Sequence, residues 1–156
     1  MADTWEGWWQ PPRWAWPATT AMSLIGLAVS IYLTIVHYSS SVSLACSASG
    51  TINCEKVTSA PQSMLLGRPV ALWGAVYFVL VTAVCLPWAW QSPSRELRLL
   101  RIALVVAGIA FALRLVYAEL FEIDAICLWC TAVHIDTLAL FGAVLVATAA
   151  GSAATP

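Results

Sequence analysis

Cys127-Leu-Trp-Cys130 sets two thiols about one helical turn apart at the mouth of an apolar segment, and Thr131 and His134 continue the same stripe. Cys130 and His134 are four residues apart, so a helix makes them neighbours. On that helix Cys127 is expected at the rim, Cys130 about one turn deeper and His134 about one turn deeper again. Two thiols carry two electrons and two protons, which is what a quinone accepts. A Cys, Cys, His stripe descending to lipid depth therefore suits delivery to a quinone dissolved in a membrane, with Cys130, Thr131 and His134 as its contacts. His134 could supply a hydrogen bond or a proton to a quinone oxygen, or it could simply pair with a neighbouring helix.

A second pair, Cys46 and Cys54, lies upstream. Asn53 is a good N-cap, which puts Cys54 at a helix N-terminus, where the dipole favours thiolate. Such a thiolate is both a usable nucleophile and a good leaving group. The residues from Cys54 to Leu66 space Val57, Ala60, Met64 and Leu65 as one face of a short amphipathic helix, with Pro61 breaking or kinking it. Cys46 sits in a Ser, Ala and Gly-rich stretch and is expected to be mobile and accessible. The fifth cysteine, Cys85, reads as a small hydrophobe within an apolar segment.

The elements that must hold these residues are apolar. Of 156 residues 61% are hydrophobic and 10% charged, against about 25% charged in soluble domains. A net charge of −1 offers no field for nucleic acid. Residues 18–38, 70–90, 99–121 and 125–150 predict an all-α membrane protein with a four-transmembrane-helix bundle, since about 20 apolar residues cross a bilayer. A Trp-rich leader (1–17), containing Trp5, Trp8, Trp9, Trp14 and Trp16, reads as an interfacial anchor, and 151–156 as a tail. Arg95, Arg98 and Arg101 between the second and third spans orient that loop and both termini to the cytoplasm. The Cys46–Cys54 loop and the Cys127 turn then share the outer side, where disulfides form and exchange. Within the spans, Arg114 lies about 10 Å deep and Asp136 about 15 Å deep. An Arg114–Asp136 pair is expected, with Glu119 as a competing partner, because unpaired intramembrane charge is costly.

Four helices, Cys46-x7-Cys54 in the first outer loop, a half-helix after it and Cys127-Leu-Trp-Cys130 opening the fourth helix together resemble the vitamin K epoxide reductase family, in its bacterial branch, over about residues 18–150. The resemblance implies that Cys46 exchanges disulfide with a separate thioredoxin-like, DsbA-like thiol oxidase on the outer side. It implies that Cys54 relays electrons through a Cys54–Cys127 disulfide, and that Cys130 reduces a membrane quinone of the menaquinone, ubiquinone or vitamin K type. It places the protein in a bacterial cytoplasmic membrane. Some bacterial members carry a fused thioredoxin-like domain; this chain ends at Pro156, so a separate partner is expected. Where family members often have a serine, six residues after the second loop cysteine, this chain has Ala60. His134 stands where vertebrate members have tyrosine, and Val70 or a neighbour where they have asparagine. The last two changes remove hydrogen-bond partners for the epoxide and leave quinone reduction as the implied reaction.

Three alternatives compete. A membrane thiol oxidase of the DsbB kind also has four helices and two cysteine pairs, but its CxxC lies in the first outer loop. A Cys metal site would need closer spacing than x7. Structural disulfides alone would not exchange electrons with a quinone.

Overall fold

The computed structural model describes residues 9–39, 44–46 and 49–153. Trp5 and Trp8 of the leader lie outside these residues. Helix α1 spans Ala15–Tyr38, α2 Cys54–Ser59, α3 Val70–Cys85, α4 Pro87–Gln91, α5 Arg95–Tyr117 and α6 Leu128–Ala153. A π-helical turn, Ala118–Ile123, continues α5. Three helical stretches, Ala15–Tyr38, Arg95–Ile123 and Leu128–Ser152, are long and apolar enough to cross a membrane, and Val70–Cys85 is a shorter apolar helix. Helix α1 packs on α3 and α6, while α5 packs on α6 and α3.

The expected second span, 70–90, is broken. Pro87 lacks an amide hydrogen and forces the preceding residue out of the helical region; Leu86 is extended at φ −62°, ψ 157°. The break strips the end of α3 of its usual partners. Arg101 bridges the break: Nε donates to Val84 O of α3 and Nη2 to Ala89 O of α4, both at 2.8 Å. Its guanidinium lies 3.7 Å from the Trp90 ring centroid. Arg101 is thus only 1% exposed rather than a solvated loop charge. Arg101→Met is expected to lower stability by about 3 kcal/mol, because two buried carbonyls lose their donors; a thermal melt in detergent checks this.

The same end of the bundle takes up Trp9. Its ring stacks on Trp90 at 6.4 Å, and Nε1 donates to Trp90 O at 3.1 Å. This part of the leader packs on the bundle, whereas Trp14 and Trp16 remain exposed. The central core joins Phe78, Val81, Val105, Leu140 and Val144. Phe78 reaches α1 only because Gly26 has no side chain; a Cβ there would overlap the Phe78 ring.

The expected Arg114–Asp136 pair does not form. Arg114 Nη2 instead meets Glu122 Oε1 at 2.9 Å, and Asp136 Oδ2 is buried without a partner among the described residues. Arg114 is in the last turn of α5, so a carboxylate just beyond the helix keeps the charge at the exposed end. Glu119 does not compete for Arg114 either; its carboxylate turns inward.

Candidate functional site

Two short main-chain bridges bring the cysteine pairs together. Ile126 N donates to Thr51 O at 2.9 Å, and Asn53 N donates to Ile126 O at 3.0 Å. They tie the loop before α2 to the turn before α6. Asn53 caps α2 as its residue type predicts, Oδ1 accepting from Lys56 N at 2.9 Å. The helix stops at Ser59 rather than reaching Leu66. Ala60 is extended ahead of Pro61, whose own turn ends at Ser63. A two-stranded hairpin, Met64–Leu65 with Arg68–Pro69, follows, and its turn takes positive φ at Leu66 and Gly67.

Cys54, at the first turn of α2, is 2% exposed and bonded to Cys46. Cys46 is half-buried, and its neighbour Ala45 is held at both ends: Ala45 N donates to Tyr32 Oη at 3.1 Å, and Trp129 Nε1 donates to Ala45 O at 3.0 Å. The cysteine expected to move freely is therefore tethered in this state.

Cys127 and Cys130 carry free thiols. Cys127 was expected at the rim but is 0% exposed, packed with Cys54, Val57, Ala118 and Ile123. The two cysteine pairs thus share one buried cluster, because the loop bridges close over the end of α6. Cys130 N donates to Cys127 Sγ at 3.4 Å. The Cys130 thiol donating to that sulfur, together with nearby amides, holds the Cys127 thiol below its ordinary range, against the opposing effects of burial and of the Glu119 charge.

Below this cluster lies a mainly apolar cavity of about 450 Å³, within the usual size range of small-molecule sites. Cys130, Val133, His134 and Thr137 form its α6 wall. Tyr77 and Phe78 of α3 and Gly108 of α5 line it farther in, and His37 and Gln62 also line it. His37 stands near the end of α1. Thr131 is not among the lining residues; its hydroxyl donates to Cys127 O at 2.9 Å. Cys85 is fully buried in the core near the other end of α3. Among the described residues no three His, Cys, Asp or Glu side chains are grouped to hold a metal ion.

Sequence reasoning missed two residues here. Tyr77 read as one apolar-span residue among many, yet it lines the cavity with a buried hydroxyl that lacks a partner among the described residues. Glu119 read as a competing ion-pair partner, yet it is 6% exposed and its Oε2 accepts from Cys127 N at 3.2 Å. The only signal for either was a polar group in an apolar run.

An apolar chamber with one thiol in its wall fits a flat hydrophobic electron acceptor. The vitamin K epoxide reductase family model matches residues 17–145, most of the chain and all four of these cysteines. No curated protein matches the sequence.

Proposed function

The chain belongs to the vitamin K epoxide reductase family, a family of membrane thiol oxidoreductases that use quinones, and from that we propose a thiol:quinone oxidoreductase that reoxidises a separate thioredoxin-like, DsbA-like protein. The observation that carries the proposal is Cys130 in the wall of the apolar cavity, one helical turn from a buried Cys127 that packs with Cys54. Partner thiols reduce the Cys46–Cys54 disulfide. When the preceding turnover has left the CxxC as a Cys127–Cys130 disulfide, the resulting Cys54 thiolate attacks Cys127 and Cys130 leaves as thiolate; Cys46 then resolves the Cys54–Cys127 bond, so Cys46–Cys54 re-forms and the CxxC becomes a dithiol. That dithiol gives two electrons and two protons to a quinone in the cavity, where His134 is placed to hydrogen-bond one of its oxygens.

In this proposal residues 18–150 are a four-span domain of a bacterial cytoplasmic membrane, α3 and α4 together making the second span. The leader 1–17 and tail 151–156 are cytoplasmic, and the four cysteines face outward. Arg95 and Arg98 in the first turn of α5 support this orientation.

Anaerobic turnover with a dithiol donor, followed by quinone absorbance, tests the proposal. Protein-dependent reduction of ubiquinone, menaquinone or vitamin K is expected; no reduction of any of them would sink it. Cys85→Ala should change turnover by less than about twofold, because Cys85 lies roughly 20 Å along α3 from the end nearest the cysteine cluster.

A further inference from the structure

Glu119 has no role in the scheme above, and it is poorly explained as structure. A backbone amide at a helix start needs an acceptor, which a neutral Ser or Asn side chain provides. A carboxylate buried at membrane depth is costly unless several donors compensate it. Glu119 has one side-chain donor among the described residues, and it is the amide of Cys127 itself. The position is also fixed: Asp124 N donates to Glu119 O and closes a π-helical turn, a rare feature often found at functional sites, and Ala125 N donates to the same oxygen at 3.1 Å. Glu119 lines the same cavity as Cys130.

We propose that the Glu119 carboxylate, held against Cys127 and open to the cavity that Cys130 lines, is the proton acceptor for oxidation of the CxxC dithiol. The inference rests on the thiol:quinone reading. In the net step two S–H bonds break and one Cys127–Cys130 S–S bond forms. The electron pair passes to the quinone, which gains two protons and leaves as hydroquinone. One proton leaves Cys127 through Glu119, and the other comes from Cys130. A thiolate is needed for S–S formation, and Cys127 is 0% exposed, so bulk solvent does not reach its sulfur.

The other titratable groups around the cavity are placed less well. His134 on α6, His37 on α1 and Tyr77 on α3 line it, but none accepts a bond from Cys127. Lys56 on α2 is turned to Asp124 O, and Glu122 is paired with Arg114.

Glu119→Gln keeps an acceptor for the Cys127 amide and removes the base. Reduced protein is mixed, in separate runs, with a quinone and with a small symmetrical disulfide, from about pH 6 to 9.5. At neutral pH the variant is expected to be slower with both oxidants by about 10²-fold or more, the lower end of general-base effects. The deficit should shrink toward pH 9, where thiols ionise unaided. Glu119→Asp should recover part of the rate. Equal rates for variant and wild type at every pH, or a deficit that does not vary with pH, would overturn the inference and leave Glu119 as a cap. If wild type oxidises with the disulfide but with no quinone, the quinone reading fails, and the disulfide rates alone decide the role of Glu119. If Glu119→Gln does not fold, infrared difference spectra of dithiol and disulfide wild type decide. A carboxylic C=O band that changes between the two states and persists in Asp136→Asn supports the inference; no such band overturns it.

Discussion

Cys130→Ala should reduce quinone no faster than the uncatalysed background, a loss of about 10³-fold or more in turnover, as expected when a reacting group is removed rather than mispositioned. Cys130 is the only one of the four paired cysteines that lines the apolar cavity. Cys127 is sealed beneath the loop bridges and cannot substitute for it. The change removes one sulfur and leaves the cavity's other walls in place, so folding should be preserved. With no Cys130 to pair with, the Cys127 thiolate can attack Cys54 of the Cys46–Cys54 disulfide and release the Cys46 thiol, and no quinone step then draws Cys127 onward. The variant should therefore accumulate a Cys54–Cys127 disulfide, visible as a mobility shift after thiol labelling. Loss of turnover together with that trapped species supports electron flow in the proposed order. Wild-type turnover in the variant would move the quinone contact to another residue.

Cys46→Ala should separate the two halves of the reaction. Oxidation of a thioredoxin-like protein is expected to fall by about 10²-fold or more, because the half-buried, more accessible end of the relay disulfide is gone and a protein thiol cannot reach Cys54 at 2% exposure. Reduction of quinone by a small dithiol should change by less than about threefold, because such a donor can enter by local opening and reach the CxxC directly. The comparison is made on one preparation with two donors, so a folding defect would lower both rates and show itself. A variant that still oxidises the protein partner would remove Cys46 from the relay.

Much of this was legible in the chain because it is local. Apolar length fixes where helices run, since a lipid-facing backbone has no other way to satisfy its hydrogen bonds. Asn53 before Cys54 fixes the cap of α2. The spacing of Cys127, Cys130 and His134 fixes which side chains share one face, and Cys130 and His134 do line the cavity together. The expected 70–90 span ran through Pro87, whose local breaking effect that reading left out. Pro87 was readable as a breaker, but not that Arg101 would fold back to cap the broken end.

The rest needed the third dimension. Charge counting paired Arg114 with Asp136 by depth, but depth along two helices does not give the rotation of either. The π-helical turn after α5 determines where Glu122 and Glu119 face. It directs Glu122 to Arg114 and buries Glu119 at Cys127. Likewise, the sequence by itself determined that a reactive pair opens an apolar helix and that a second pair precedes it. Only the tertiary structure decided that Cys127 is sealed and Cys130 borders the cavity, because two main-chain bridges from Thr51 and Asn53 to Ile126 close the loop over one sulfur and not the other.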